Sequence, residues 1–173
     1  YYDNIIFLEE IFEKVEFIDS TKDEKISEDS DVVYICGGYV ETTNAYDKIK
    51  NASNFRNSLI NHSKTKYIYA ECAGLLYLGN RVDDKQMSSI LDVDFILEKK
   101  RVRLGYYYST NGIKGHAFHY TKPLDVSNGV DILSKLENQK GEIGAWKNNK
   151  IYGTYLHTMF RNNINILKDY FGI

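Results

Sequence analysis

One stretch limits the fold of this chain more than any other: KYIYAECAGLLYLGN, residues 66–80, where a strand signal turns into a helix signal at a cysteine. Tyr67, Ile68, Tyr69 and Ala70 form the apolar run of a buried strand, and Leu75, Leu76, Tyr77 and Leu78 read as a packed helix. Only Glu71-Cys72-Ala73-Gly74 lies between them, so the backbone must turn sharply and Cys72 occupies the corner. A side chain on such a corner stands beyond the sheet edge and faces the first free N–H groups of the helix. Those donors favour an anion, so the thiol is expected to lose its proton more easily than a free cysteine. Ala73 and Gly74 are small enough for a tight turn and close helix–strand packing, and the Ala73 N–H is placed to serve an oxyanion. A packing cysteine that closes a strand end satisfies the same pattern.

The 173 residues suit one domain with a sizeable core, and 43% apolar with 27% charged residues is ordinary for a soluble globular chain. A formal net charge of -2 argues against a nucleic-acid partner. No transmembrane length and no signal peptide can be read, so a cytoplasmic protein without a membrane partner is expected. The first residue is Tyr rather than Met, which suggests a fragment or processed chain from which a partner domain is missing. The two cysteines, Cys36 and Cys72, fall at the ends of expected strands, which argues against a disulfide framework and for a reducing compartment. No Cys/His cluster has zinc-like spacing, and no metal is expected.

In chain order, Asp3 can cap a helix over residues 4–14 with Ile5, Leu8, Ile11, Phe12 and Val15 on one face. Residues 15–19, VEFID, read as a short strand, followed by the solvated connection TKDEKISEDSD. Residues 31–38, DVVYICGG, form an uninterrupted apolar run, expected as a central strand covered on both faces, with glycines at its carboxyl end that let backbone approach a ligand. The N–H groups near Gly37 and Gly38 are candidates for a second oxyanion donor; a tight turn with positive φ is the blander explanation of the pair. Residues 43–62 show helical spacing after Thr42 or Asn44 as caps, with His62 expected on the surface near the end. Right-handed crossovers then make the 31–38 and 66–72 strands parallel, with both carboxyl ends on one edge.

Beyond Asn80, residues 89–99, 103–110, 114–121, 142–146 and 150–155 read as strands, with Asn111-Gly112 and Asn148-Asn149 as turns. This half is expected to extend the sheet in antiparallel fashion and to end in a helix over residues 163–171. The fold class is therefore α/β, a mixed sheet flanked by helices.

A cysteine nucleophile needs a base within hydrogen-bond reach, usually a histidine. His116 and His119 stand three apart in a strand, point to opposite faces and cannot both line one site. His157 follows IYGTYL at the strand's carboxyl end, from which a side chain can reach across an active edge; a satisfied structural histidine is the bland alternative.

Taken together, YYDN, DVVYICGGYVE, YIYAECAGLLYLG, RLGYYYS, GHAFHYT and GTYLHTMF resemble, in order and spacing and over essentially the whole chain, the glutamine amidotransferase domain of cobyrinic acid a,c-diamide synthases. AEC-x-GL-x-YLG and GGY-x-E are the most specific segments. The resemblance implies a class I, triad-type amidotransferase fold (flavodoxin-like) over residues 1–173 as a single glutaminase domain, with the family's amino-terminal ATP-dependent synthetase domain absent from this chain. It implies Cys72 as nucleophile, His157 as its acid/base partner, and Gly38 and Ala73 as oxyanion donors. The implied reaction hydrolyses L-glutamine to glutamate through a thioester and delivers ammonia to a synthetase that amidates the a and c carboxylates of cobyrinic acid in cobalamin biosynthesis. No cofactor is implied in this domain; ATP and magnesium, with a corrinoid or related tetrapyrrole acceptor, belong to the synthetase domain. A homodimer is compatible with the resemblance.

Glutamine's α-carboxylate suits a bidentate arginine, and Arg103 at a strand start is the candidate, with pairing to a surface glutamate as its alternative. Class I enzymes generally carry a glutamate two residues after the histidine; this chain has Met159. The family's GHEFHYS segment has Ala117 and Thr121 here, and AECGG has Ala73, which keeps its backbone N–H. The group that orients His157 is left unnamed. A cysteine hydrolase or redox-type protein on the same scaffold, and a non-catalytic amidotransferase-like interaction domain, are the alternative readings.

Overall fold

Val32–Ile35 (β1) and Tyr67–Glu71 (β2) lie parallel, Val32 opposite Tyr67 and Ile35 opposite Ala70, in the computed structural model, which describes residues 1–137 and 139–173. Helix Tyr2–Ile11 (α1) precedes them, Thr43–Ile49 (α2) and Ser53–Ser63 (α3) connect them, and Ala73–Leu78 (α4) leaves β2 directly through the Cys72 corner. The later strands are Arg81–Val82 (β3), Lys85–Gln86 (β4), Asp94–Leu97 (β5), Arg103–Ser109 (β6), Lys114–His119 (β7) and Thr121–Pro123 (β8). Gly129–Ser134 (β9), Glu142–Asn148 (β10), Ile151–Thr154 (β11) and His157–Thr158 (β12) follow, and Phe160–Phe171 (α5) ends the fold. The main sheet runs β1-β2-β11-β10-β9-β6-β7-β12, and β4-β3-β5-β8 form a second, smaller sheet.

Period-two alternation assigns each face of the main sheet its helices. On one face Tyr69 meets Phe171 at 5.4 Å and Phe160 at 5.8 Å, and Tyr152 stacks on Tyr170 at 4.1 Å, so α5 covers this side. Tyr69, Tyr152, Phe160 and Phe171 are at most 1% exposed, and each such burial contributes about 1.5–3 kcal/mol. The opposite face receives α4: a Cβ on Gly153 would lie 2.8 Å from Leu75 Cδ1, and one on Gly74 would lie 2.5 Å from the Ile35 carbonyl oxygen. Close helix–strand packing is thus why position 74 is glycine. Gly74→Ala is expected to lower stability by about 1–3 kcal/mol, because a backbone atom has no rotamer by which to yield; the shift of the urea midpoint measures it.

Several expectations meet tertiary structure and change. Residues 15–19 form no strand: Phe17 is 69% exposed, and β1, the neighbour such a strand would need, keeps a free edge. For the same reason β1 is a half-buried edge strand rather than a central one. The expected single helix over 43–62 divides at residues 50–52, since Asp23 from a distant loop accepts from Phe55 N at 2.8 Å and caps a new helix start. Thr42 caps α2 as expected, accepting from Ala45 N at 3.4 Å. His62 is buried, not on the surface: its Nε2 meets Tyr67 O at 3.0 Å, and burial lowers its pKa. In the second half β9 has no counterpart among the expected strands, residues 89–99 contribute only β5, and β11 pairs parallel with β2 rather than antiparallel. Among the described residues no helix is long and apolar enough to cross a membrane.

Candidate active site

Cys72 adopts φ 50 and ψ -106, a positive-φ conformation outside the left-handed helical region that holds the turn from β2 into α4. A non-glycine residue there stores about 1–3 kcal/mol of strain, tolerable only where the surroundings fix it. Here the Cys72 N–H donates to Thr154 O at 2.8 Å, tying the corner to β11. The side chain opens into a cavity of about 470 Å³ whose lining includes Gly37, Gly38, Glu71, His116, Phe118 and His157. A second concavity of about 410 Å³, between Phe17 and Glu24, holds neither thiol nor imidazole.

The expected acidic thiol does not survive burial. The neighbouring Ala73 N–H lowers its pKa. Burial first, and then Glu41 and Glu71, outweigh it and push the thiol up to about 12. Glu41 Oε2 is itself buried without a hydrogen-bond partner among the described residues. Sγ donates to Phe118 O at 3.8 Å, a contact that further favours the protonated form. Cys36 is an exposed free thiol at the end of β1.

His157 sits in β12 opposite His116 and is half-buried in the same cavity. Burial and the neighbouring His116 lower its pKa, so the resting pair is a neutral thiol and a neutral imidazole. The GG pair has its reason here. Neither glycine has a positive φ, whereas a Cβ on Gly37 would lie 2.2 Å from His157 Cε1 and 2.9 Å from Nδ1. The Cε1 edge of the imidazole therefore abuts backbone that only glycine leaves open. A Cβ on Gly38 would touch only the Ala73 methyl, at 3.7 Å, which brings the two proposed donor segments side by side.

His116 lines the cavity while His119 faces the opposite side, as their spacing requires. His119 stacks on Tyr155 at 3.7 Å and bonds through Nδ1 to Thr121 O at 2.8 Å; burial, then Arg103, push its pKa down to about 3. Arg103 is likewise on the inner face. It is 5% exposed, is absent from the cavity lining, and donates through Nη2 to Glu142 O at 3.2 Å and Ile143 O at 3.0 Å. Its guanidinium also covers the Tyr155 ring at 5.4 Å, so its donors are spent on the fold and not turned toward a substrate carboxylate.

Residues that sequence reasoning missed surround the histidine. Asn4 Nδ2 donates to Thr158 O at 2.7 Å, and Asn4 Oδ1 accepts from Phe160 N at 2.9 Å. Glu71 Oε1 accepts from Thr158 N at 2.9 Å and its Oε2 from Tyr34 OH at 2.8 Å. The only local signal was a carboxylate inside an otherwise apolar strand. Among the described residues no cluster of three or more His, Cys, Asp or Glu could hold a metal ion.

The chain matches the CobB/CobQ-like glutamine amidotransferase domain over residues 1–164. It is 31% identical over 173 residues to a cobyrinate a,c-diamide synthase of Methanococcus maripaludis (strain C5), covering 91% of this chain and 37% of that protein. A cobyrinate a,c-diamide synthase of Saccharolobus solfataricus is 30% identical over 182 residues, covering 94% and 41%. The chain thus spans about two fifths of the length of the relatives it matches. A solved glutamine amidotransferase superposes with TM-score 0.65 at 13% identity, covering 99% of this chain and 94% of that one. A glutamine amidotransferase from Thermotoga maritima gives 0.59 at 15%, covering 96% and 74%.

Proposed function

Because the chain belongs to the CobB/CobQ-like glutamine amidotransferase domain family, we propose that it is a glutaminase unit that hydrolyses L-glutamine at Cys72 and releases ammonia for an ATP-dependent synthetase. The observation that carries this reading is the convergence on one cavity of the strained Cys72 corner, the Gly37-Gly38 backbone and the His157 ring seated on Gly37.

The raised thiol and lowered imidazole set the order of events. As Sγ attacks the side-chain amide carbon of glutamine, neutral His157 takes the thiol proton, so charge appears only along the reaction path. The tetrahedral oxyanion forms beside the N–H groups of Ala73 and Gly38, and one such donor is worth about 3 kcal/mol. His157, now imidazolium, passes the proton to the leaving nitrogen, ammonia departs, and a glutamyl thioester remains on Cys72. Neutral His157 then activates water, which hydrolyses the thioester to glutamate and restores the thiol.

Ammonia loses its nucleophilicity once protonated at neutral pH, so its release is useful only next to a sheltered acceptor site. The relatives' name supports cobyrinic acid as acceptor, amidated at its a and c carboxylates by the synthetase, where ATP and magnesium would act. The test is covalent: a glutamine-like diazoketone is expected to label Cys72, and millimolar glutamine to protect it. Labelling that glutamine does not slow would remove the amidotransferase reading and leave a cysteine hydrolase.

A further inference from the structure

Met159 stands two residues after His157 where class I enzymes generally carry a glutamate, and among the described residues no carboxylate hydrogen-bonds the imidazole, yet a buried carboxylate, Glu71, stands one residue before the nucleophile and is used by no step above. Glu71 is 1% exposed, points to the α5 side of β2, and receives two donors: Thr158 N–H on Oε1 at 2.9 Å and Tyr34 OH on Oε2 at 2.8 Å. Thr158 directly follows His157, and its remaining polar groups are fixed as well, the carbonyl by Asn4 at 2.7 Å and the hydroxyl against Tyr69 OH at 3.1 Å. Building on the glutaminase reading, we propose that Glu71 is the positioning residue for the acid/base histidine, aligning it through the Thr158 backbone N–H instead of through the imidazole.

The same side chain thereby fixes both reacting groups. Its own peptide unit leads into the Cys72 corner on one side, and its carboxylate pins the His157–Thr158 segment on the other. The Gly37 surface sets how deep the ring can sit, and the Glu71 bond sets where the strand that carries it lies. Tyr34 from β1, Tyr69 from β2, Cys72 at the corner after β2, Tyr1 beside α1 with its terminal amino group, and His157 from β12 are the titratable groups around it. None is a cationic side chain, and burial pushes the carboxyl up to about 7. Either protonation state can accept the Thr158 N–H on Oε1, so a hydrogen bond rather than a charge is the working element, and a neutral amide should replace it.

The experiment compares Glu71→Gln and Glu71→Met with the unaltered protein, measuring kcat and KM for glutamine hydrolysis, the kcat/KM pH profile, and the His157 imidazole pKa by NMR. Glu71→Gln keeps an acceptor for Thr158 and should stay within about fivefold of the unaltered kcat. Glu71→Met, similar in size but without an acceptor, should lose about 100-fold in kcat, the cost of misplacing a reacting group by about 1 Å, with KM nearly unchanged. In that variant the freed His157 ring should titrate higher, toward the ordinary histidine value, and move the profile's lower limb up with it. A merely structural role would not shift the imidazole. Glu71→Met with unchanged kcat and imidazole pKa overturns the proposal, as does Glu71→Gln impaired tenfold or more, which also decides the matter if the Met variant does not fold. If the unaltered protein fails to hydrolyse glutamine and takes no diazoketone label, it is the glutaminase reading that falls.

Discussion

Cys72→Ser is expected to lower glutamine-dependent ammonia release by about 10³-fold or more, while amidation driven by added ammonium in the assembled enzyme continues. The reason is specific to this site. His157 is held neutral by burial, so it is a weak base, and the Ala73 N–H alone already favours anionic sulfur against burial and two carboxylates. A serine hydroxyl is far less acidic than a thiol, and the same weak base cannot move its proton at a useful rate. Stability supplies an independent readout, because Cys72 holds φ 50 and ψ -106. Glycine adopts positive φ without steric cost, so Cys72→Gly should raise stability by about 1 kcal/mol even though the nucleophile is gone. A cysteine present for packing would behave oppositely: glycine would leave a hole and destabilise, and serine would leave turnover intact. Steady-state ammonia release and urea unfolding of the two variants separate the cases.

The second large effect is expected at Gly37. Its Cβ would fall 2.2 Å from His157 Cε1, so in Gly37→Ala the imidazole must swing away by more than an ångström. A displacement of that size from a reacting group costs about 100-fold in rate. The fold should tolerate the change, since Gly37 does not need a positive φ and the atom struck is the end of a side chain that can move. Gly38→Ala is the matched control: its methyl meets the Ala73 Cβ at an ordinary 3.7 Å and its N–H is retained. Gly38→Ala should therefore keep kcat within a few fold, while Gly37→Ala loses it with an unchanged unfolding midpoint. Equal kcat for the two variants would show that the ring's seat on Gly37 is irrelevant to turnover.

These effects trace back to features with different legibility. The strand-to-helix corner could be read because it is a local pattern: an apolar strand, a small-residue turn and a packed helix lie within residues 66–80. His157 could be singled out because it follows the 150–155 strand closely, although β11 ends at Thr154 and His157 begins β12 against β7; the opposite facing of His116 and His119 follows from strand periodicity alone. The GG pair was legible as a place of close approach, but the sequence does not say that the approaching group is the protein's own histidine. Arg103, expected from the sequence as a substrate grip, has its face decided by the β6–β7 pairing, where it stands opposite His119 on the inner side and donates to Glu142 O and Ile143 O. The thiol's acidity was misjudged for a related reason. A helix N–H is local and visible, whereas burial and the approach of Glu41 and Glu71 are properties of the packed chain.

The α/β class and the strand-to-helix corner at Cys72 are legible without coordinates, because each is written in residues close together along the chain. How cysteine and histidine are aligned is a property of the packed fold. The contacts that fix His157 join Asn4 to Thr158 and Glu71 to Thr158, positions 154 and 87 residues apart. Hydrogen bonds over such separations are chosen by the order of strands in the sheet, and strand order is a result of packing the whole chain at once.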